Sequence, residues 1–478
     1  MEKPQVAHRG SYPSCRSLGE NAWGSQLKKA LSGALALSLA GCSGVSDLGQ
    51  ELFGNSRAQP VVSGYIGAVV ADEPQAALIG RDVLAHGGNA ADAAAAVGMA
   101  LAVTLPSRAS LGGGGACLAS RAHQAPQAFL FLPAASQNAT ASRPAALPMT
   151  PRGLFTMQLR YGSVEFSDTL KPAIRLARYG TTVSRALGTD LAAVESALLA
   201  DDSARETFTK ADGGILKDGD TLSQPRLANF LERLSNVGVG DLYNGALGSI
   251  FVEGANSAGG GLDTAALRAA IPAQSPALQV TSGNSISYFL PPPADGGYGA
   301  ASVIRNGGSA QGAVAAWRAQ HHETTANAAT LAAAAQEVLD SGTTGSGTLP
   351  ALPASTAFVV TDNHGGAVAC ALTNNNLFGT GRIAEGTGVL LAASPQTMPT
   401  PLLSAAIVQS RGVLRGALAS SGQNDAADAL AAATRAVVQG TTIPHEGSGR
   451  VNSAFCRGEQ CSGDTDPRGG GLATGTNN

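Results

Sequence analysis

The chain is 478 residues long, 44% hydrophobic and 14% charged, with a formal net charge of −3. That is enough apolar material to bury a large core in one big α/β domain or two closely packed ones, and it excludes a chain disordered throughout. The 31 basic residues are spread along the sequence without interleaved aromatics, so nothing marks a nucleic-acid surface.

Near the start, Lys28 and Lys29 precede an apolar run over 30–39 and then Ala40-Gly41-Cys42-Ser43. Basic, apolar and small residues in that order form an export signal. The run falls short of the ~20 residues a membrane span needs. Leu39-Ala40-Gly41-Cys42 resembles a bacterial lipobox, which makes Cys42 the lipidated first residue of a mature, membrane-anchored protein; a plainly cleaved signal or a short core helix are the alternatives. Ser43, where an Asp would retain a lipoprotein at the inner membrane, points to the outer membrane of a periplasm-facing envelope protein. Residues 1–26 have no signal character, so Leu27 is expected to be the true start, read from an alternative initiation codon.

From Gly64 the pattern predicts a strand over 66–70, an amphipathic helix over 73–86 closed by Gly87-Gly88, and an Ala-rich buried helix over 90–103. The four-glycine run 112–115 lacks the Lys-Ser/Thr of a phosphate loop and the spacing of a dinucleotide fingerprint, so close backbone packing is expected there. Two helices fill 150–184, broken at Tyr161-Gly162 and closed at Tyr179-Gly180, and helices continue over 185–270. A strand over 285–290 leads into the rigid turn Pro291-Pro292-Pro293-Ala294-Asp295-Gly296-Gly297. Residues 309–354 are mostly Ala, Gly, Ser and Thr, which reads as an exposed, pliable connection. The tail from Gly440 reads as loops or disorder. The pair His321-His322 reads as the solvated face of a helix rather than a metal site, and no metal or cofactor is expected.

Ser355 stands between the pliable segment and a hairpin, with strands expected over 358–360 and 367–372 around a turn at 362–366. A hydroxyl is a weak nucleophile without a base beside it, and an N-terminal Ser, Thr or Cys can use its own α-amine once the preceding peptide bond is cut. Taken locally, Ser355 and Thr356 also read as ordinary strand-edge residues. Of the six cysteines, Cys456 and Cys461 have four residues between them in what reads as a polar loop. In an oxidising compartment they form a plausible disulfide.

Gly87-Gly88-Asn89-Ala90-Ala91-Asp92-Ala93-Ala94, the glycine run, Lys171-Pro172-Ala173-Ile174-Arg175-Leu176-Ala177, the triple proline with Gly296-Gly297, Phe378-Gly379-Thr380-Gly381 and Asp466-Pro467-Arg468-Gly469 follow in series. Together they resemble the γ-glutamyltransferases over residues 62–470. The resemblance implies an N-terminal-nucleophile hydrolase fold, an α/β protein built as an αββα sandwich and cut by its own nucleophile into a large and a small subunit that stay associated. It divides the chain into an export signal with lipobox (1–42), a linker (43–61), a large-subunit-like region (62–354) and a small-subunit-like region with a loop-rich tail (355–478). Its implied partner is a small amide or γ-glutamyl peptide such as glutathione.

Matched residue by residue, the cut falls before Ser355, which stands where the family has a Thr nucleophile. Thr373 matches the Thr that supports the nucleophile, Asn375 an Asn that contacts the substrate, and Gly422 one of two glycines serving the oxyanion, the other being Gln423. Ala357 replaces a His. The carboxylate-gripping Arg falls at Leu132, the amine-binding acid at Thr397, and a Ser-Ser pair at Pro401-Leu402. Loss of both charged clamps forfeits contacts of about 1.5–3 kcal/mol each. Leu132, Pro401 and Leu402 would better suit an apolar acyl group. A degenerate, non-catalytic protein of the same fold is the alternative.

Overall fold

Two antiparallel sheets lie face to face, with helices on both outer faces; the computed structural model describes residues 64–136, 141–321 and 326–475. All of these fall in one compact unit, Pro60–Asn478. The expected export signal with Cys42, the start at Leu27, the linker and His322 lie outside the described residues.

The first sheet runs in the order Leu472–Thr474, Gly67–Ala71, Thr356–Asp362, Ala367–Thr373, Gly114–Ser120, Gln127–Phe131, Ala273–Pro276. The second runs Gln460–Thr465, Arg450–Arg457, Val413–Ser421, Ser404–Ser410, Ser285–Phe289, Leu278–Ser282. Side chains alternate along each strand. Val69, Ala71, Phe358 and Val360 face the helices, whereas Ala68, Val70, Ala357 and Val359 face the second sheet. Ala405, Ile407, Ala417, Ala419 and Ala454 meet them from the other side. Small residues on both inner faces let the sheets approach closely.

The helix Ala90–Thr104 is buried along its whole length against the first sheet. Asn89 caps it, accepting from the amides of Ala91 and Asp92 at 2.9 and 3.2 Å, and Asp92 returns the contact to the Asn89 amide at 3.0 Å. That capping box explains the Asn-Ala-Ala-Asp motif without invoking chemistry. The helices Gly296–Asn306, Ala310–His321, Ala328–Asp340 and Ala426–Gln439 cover the second sheet.

Three expectations are corrected. Residues 309–354 are not one pliable connection, because two helices, Ala310–His321 and Ala328–Asp340, occupy most of them. Their Ala content is helix-forming, with Trp317, Ala335 and Leu339 as buried anchors. The tail is not loop or disorder: Arg450–Arg457 and Gln460–Thr465 complete the second sheet and Leu472–Thr474 borders the first. Cys456 and Cys461 are directly opposed across that hairpin rather than in a loop, and they are bonded. A second disulfide, Cys117–Cys370, crosses neighbouring strands of the first sheet. His321 stacks on Trp317, with ring centroids 3.7 Å apart.

Candidate active site

The strand Thr356–Asp362 begins at one edge of the sandwich, and Ser355 stands immediately before it, 3% exposed. Its hairpin partner Ala367–Thr373 pairs Thr356 with Leu372 and so ends with Thr373 beside the residue that precedes Ser355. The Thr373 hydroxyl donates to the carbonyl oxygen of Ala354 at 3.0 Å. The Thr373 hydroxyl oxygen itself accepts from the Asn375 backbone amide at 2.9 Å, which fixes the hydroxyl's direction. A donor on that carbonyl polarises the Ala354–Ser355 peptide bond, and an adjacent serine hydroxyl is the nucleophile able to attack it.

The segment before the junction is strapped down. Asn424 accepts from the Leu352 amide at 2.9 Å and donates to the Pro350 carbonyl at 2.9 Å, while Gln423 donates to the Leu352 carbonyl at 2.8 Å. Both follow Gly422, whose φ of 119° and close approach to Ser448 and Gly449 (2.7 Å from a notional Cβ) leave no room for a side chain. Gln423 itself has φ 56°, a left-handed conformation that favours glycine. Its side-chain bond to the strapped segment offsets that cost.

Asp466 and Arg468 support the same corner. Arg468 bridges Asp466 at 2.6 Å and donates to the carbonyls of Gly447 and Gly449, behind Gly422. Burial pushes the Asp466 carboxyl up, but the hydrogen bonds from the Arg468 side chain and backbone and the nearby Arg468 and His445 charges outweigh it, leaving the group below its ordinary value.

Asp72 belongs to no motif that marks it in the sequence. One carboxylate oxygen accepts from the Thr356 hydroxyl (3.0 Å), the Ala357 amide (3.0 Å) and the Ser421 hydroxyl (3.1 Å). The other accepts from Asn452 at 2.8 Å. It ties the start of the strand that follows Ser355 to the strand that delivers Gly422. Only the end of a short predicted strand hinted at it, and a lone Asp there is unremarkable.

A cavity of about 530 Å³ opens over Ser355, lined by Leu352, Pro353, Ala354, Asn376, Leu377, Met398, Gly422, Gln423, Ser448, Asp190 and two arginines, Arg108 and Arg450. The structure brings Ser355, Thr373 and Gly422 to one place. Asn375 is buried beside them with its amide donating to the Ala393 carbonyl at 3.1 Å, and its neighbour Asn376 lines the cavity. The expected apolar wall is elsewhere: none of Leu132, Pro401 and Leu402 lines the cavity, and Leu402 is packed into the core under the second sheet. Thr397 is spent on the Ser394 carbonyl at 3.0 Å. The glycine run abuts this corner, where a Cβ on Gly113 would lie 2.5 Å from the Thr373 carbonyl oxygen. Close packing is its function.

The family model for gamma-glutamyltranspeptidase matches residues 76–343. The chain belongs to this family. Glutathione hydrolase 3 of Arabidopsis thaliana is 30% identical over 258 residues, which cover 51% of this chain and 40% of that protein. The glutathione hydrolase proenzyme of Escherichia coli strain K12 is 28% identical over 382 residues, 68% of this chain and 65% of that one. This family member therefore spans about 40 to 65% of the length of these relatives. A cephalosporin acylase from Bacillus halodurans superposes with a TM-score of 0.69 at 16% identity, covering 88% of this chain and 98% of the other. The shared architecture is the αββα sandwich of the N-terminal-nucleophile hydrolases. Among the described residues no group of His, Cys, Asp and Glu is arranged to hold a metal ion, and no helix is long and apolar enough to cross a membrane.

Proposed function

We propose that this protein is an exported, lipid-anchored amidohydrolase or acyltransferase that cuts itself before Ser355 and then uses Ser355 on γ-glutamyl amides such as glutathione. The observation that carries the reading is the 3.0 Å hydrogen bond from Thr373 to the Ala354 carbonyl, set beside a buried serine at the head of a strand.

In the first step the Ser355 hydroxyl oxygen adds to the Ala354 carbonyl and the peptide C–N bond breaks, transferring the acyl group to oxygen and freeing the α-amine. Water then hydrolyses the ester, leaving the Ala354 carboxylate and a new N-terminus. In each turnover that amine takes the hydroxyl proton as Ser355 attacks the substrate carbonyl and passes it to the departing amine; water or an acceptor amine then removes the acyl group. Two disulfides support an oxidising location, and Cys42 supplies the anchor.

The test is the purified full chain on a reducing gel. Two fragments, the smaller starting at Ser355, support self-processing, and Ser355→Ala should remain a single chain. Release of 4-nitroaniline from its γ-glutamyl derivative above that control then tests the substrate. Ala357 in place of the family's His favours the second reading, a binding protein of the same fold; an intact wild-type chain would support it.

A further inference from the structure

The charged residues around Ser355 describe a substrate different from a zwitterion. Asp190 is the cavity's one acid, and it is already committed. Arg108 holds it through Nε at 2.7 Å and Nη2 at 2.8 Å, and the Ser107 hydroxyl adds a third bond at 2.7 Å. Both partners are largely buried, at 14% and 8% exposure. A carboxylate so occupied cannot also receive a substrate ammonium without breaking a bidentate pair.

Arg450 is placed otherwise. It opens the strand Arg450–Arg457 and lines the cavity with Gly422 and Ser448, and its guanidinium has no hydrogen bond or ion pair among the described residues. The lining therefore carries one positive charge in excess, next to an apolar wall of Leu352, Leu377 and Met398. A half-buried, unpaired guanidinium lining the same cavity as Ser355 is a ready partner for a planar anion.

We propose that the cavity binds its acyl donor by a terminal carboxylate on Arg450, with the Arg108–Asp190 pair as a fixed flank, and that the preferred donors are monoamides of dicarboxylic acids lacking an α-amine. Such a donor keeps the γ-glutamyl carboxylate and drops the ammonium for which the cavity has no free acid. The proposal rests on Ser355 being the nucleophile. Attack forms the Ser355 ester as the amide C–N bond breaks and the amine leaves with the proton; water then cleaves the ester, giving a dicarboxylate and regenerating the hydroxyl.

Three 4-nitroanilides with one leaving group make the test: glutaryl, γ-glutamyl and butyryl. The glutaryl compound should show the highest kcat/KM. Arg450→Gln should lower the ratio of glutaryl to butyryl kcat/KM by about 10- to 100-fold, the effect of one charge-assisted contact. A preference for γ-glutamyl or butyryl, or a ratio that Arg450→Gln leaves unmoved, overturns it. Calorimetry with free glutarate on the Ser355→Ala protein separates binding from catalysis. Glutarate binding that is lost in Ser355→Ala/Arg450→Gln upholds the anion site even if no anilide is cleaved, an outcome that would reject only the catalytic reading. Absence of glutarate binding overturns the site.

Discussion

At the scale of single residues, two side chains, Thr373 and Asp72, organise the corner that holds Ser355. The Thr373 hydroxyl is aimed at the Ala354 carbonyl, so Thr373→Val, which keeps the shape and removes the donor, should slow self-cleavage by about 10²–10³-fold while the chain still folds. Timed reducing gels of freshly purified protein measure this, and unchanged cleavage would remove Thr373 from the mechanism. The Asp72 carboxylate collects four donors from both sheets. Asp72→Ala strands them and should destabilise the fold by about 3 kcal/mol, seen as a lowered denaturation midpoint. Asp72→Asn, which keeps an acceptor, should recover part of that loss. Ser355, Thr373 and Gly422 were reachable from the sequence because they sit inside short motifs of fixed spacing. Asp72, Arg108 and Arg450 were not: each lies far along the chain from Ser355, and only the folding of two sheets together makes them neighbours.

At the scale of elements, the corner formed by Gly422–Asn424 and the loop 447–449 decides whether the junction is held. Gly422→Ala would place a Cβ 2.7 Å from Gly449 at a positive φ, so processing and stability should fall together, by several kcal/mol in denaturant titrations. The Asp466–Arg468 bridge holds the outer side of that corner and gives it a pH dependence. Asp466 has a folded-state value below its ordinary 3.8, so its contribution is fully present above that pH and is lost as pH falls through the lower folded value. Arg468→Gln should remove this component, flattening the acid limb of a stability–pH curve. The hairpin and the Ala-rich helix were legible from apolar runs and glycine stops. The tail strands were not, because Arg450–Arg457 buries small residues of its own, such as Ser453 and Ala454, on both faces and shows neither clear alternation nor a hydrophobic run. The helices over 310–340 were obscured by the same Ala, Ser and Thr content that suggests a linker.

At the scale of the whole molecule, the sandwich places residues from both ends of the chain in adjoining strands: Gly67–Ala71 pairs with Thr356–Asp362 on one side and Leu472–Thr474 on the other. The proposed cut before Ser355 would therefore sever a peptide bond without separating any layer. The fold class was legible from the order of the motifs; the pairing of Cys117 with Cys370 was not, since the two stand 253 positions apart and spacing carries no signal over that distance. Before the cut that bond closes a loop and restrains the unfolded chain, by about 5 kcal/mol on the chain-entropy account. After the proposed cut the loop would no longer exist, because the cut lies inside it, and the same bond would become a tether between two polypeptides. Reassociation is then an intramolecular event at high effective concentration, indifferent to dilution. The processed protein should run as one band without reductant and as two with it, and mixing differently tagged preparations should give no hybrids until the tether is reduced. Cys117→Ser/Cys370→Ser should restore exchange between molecules and make melting depend on protein concentration.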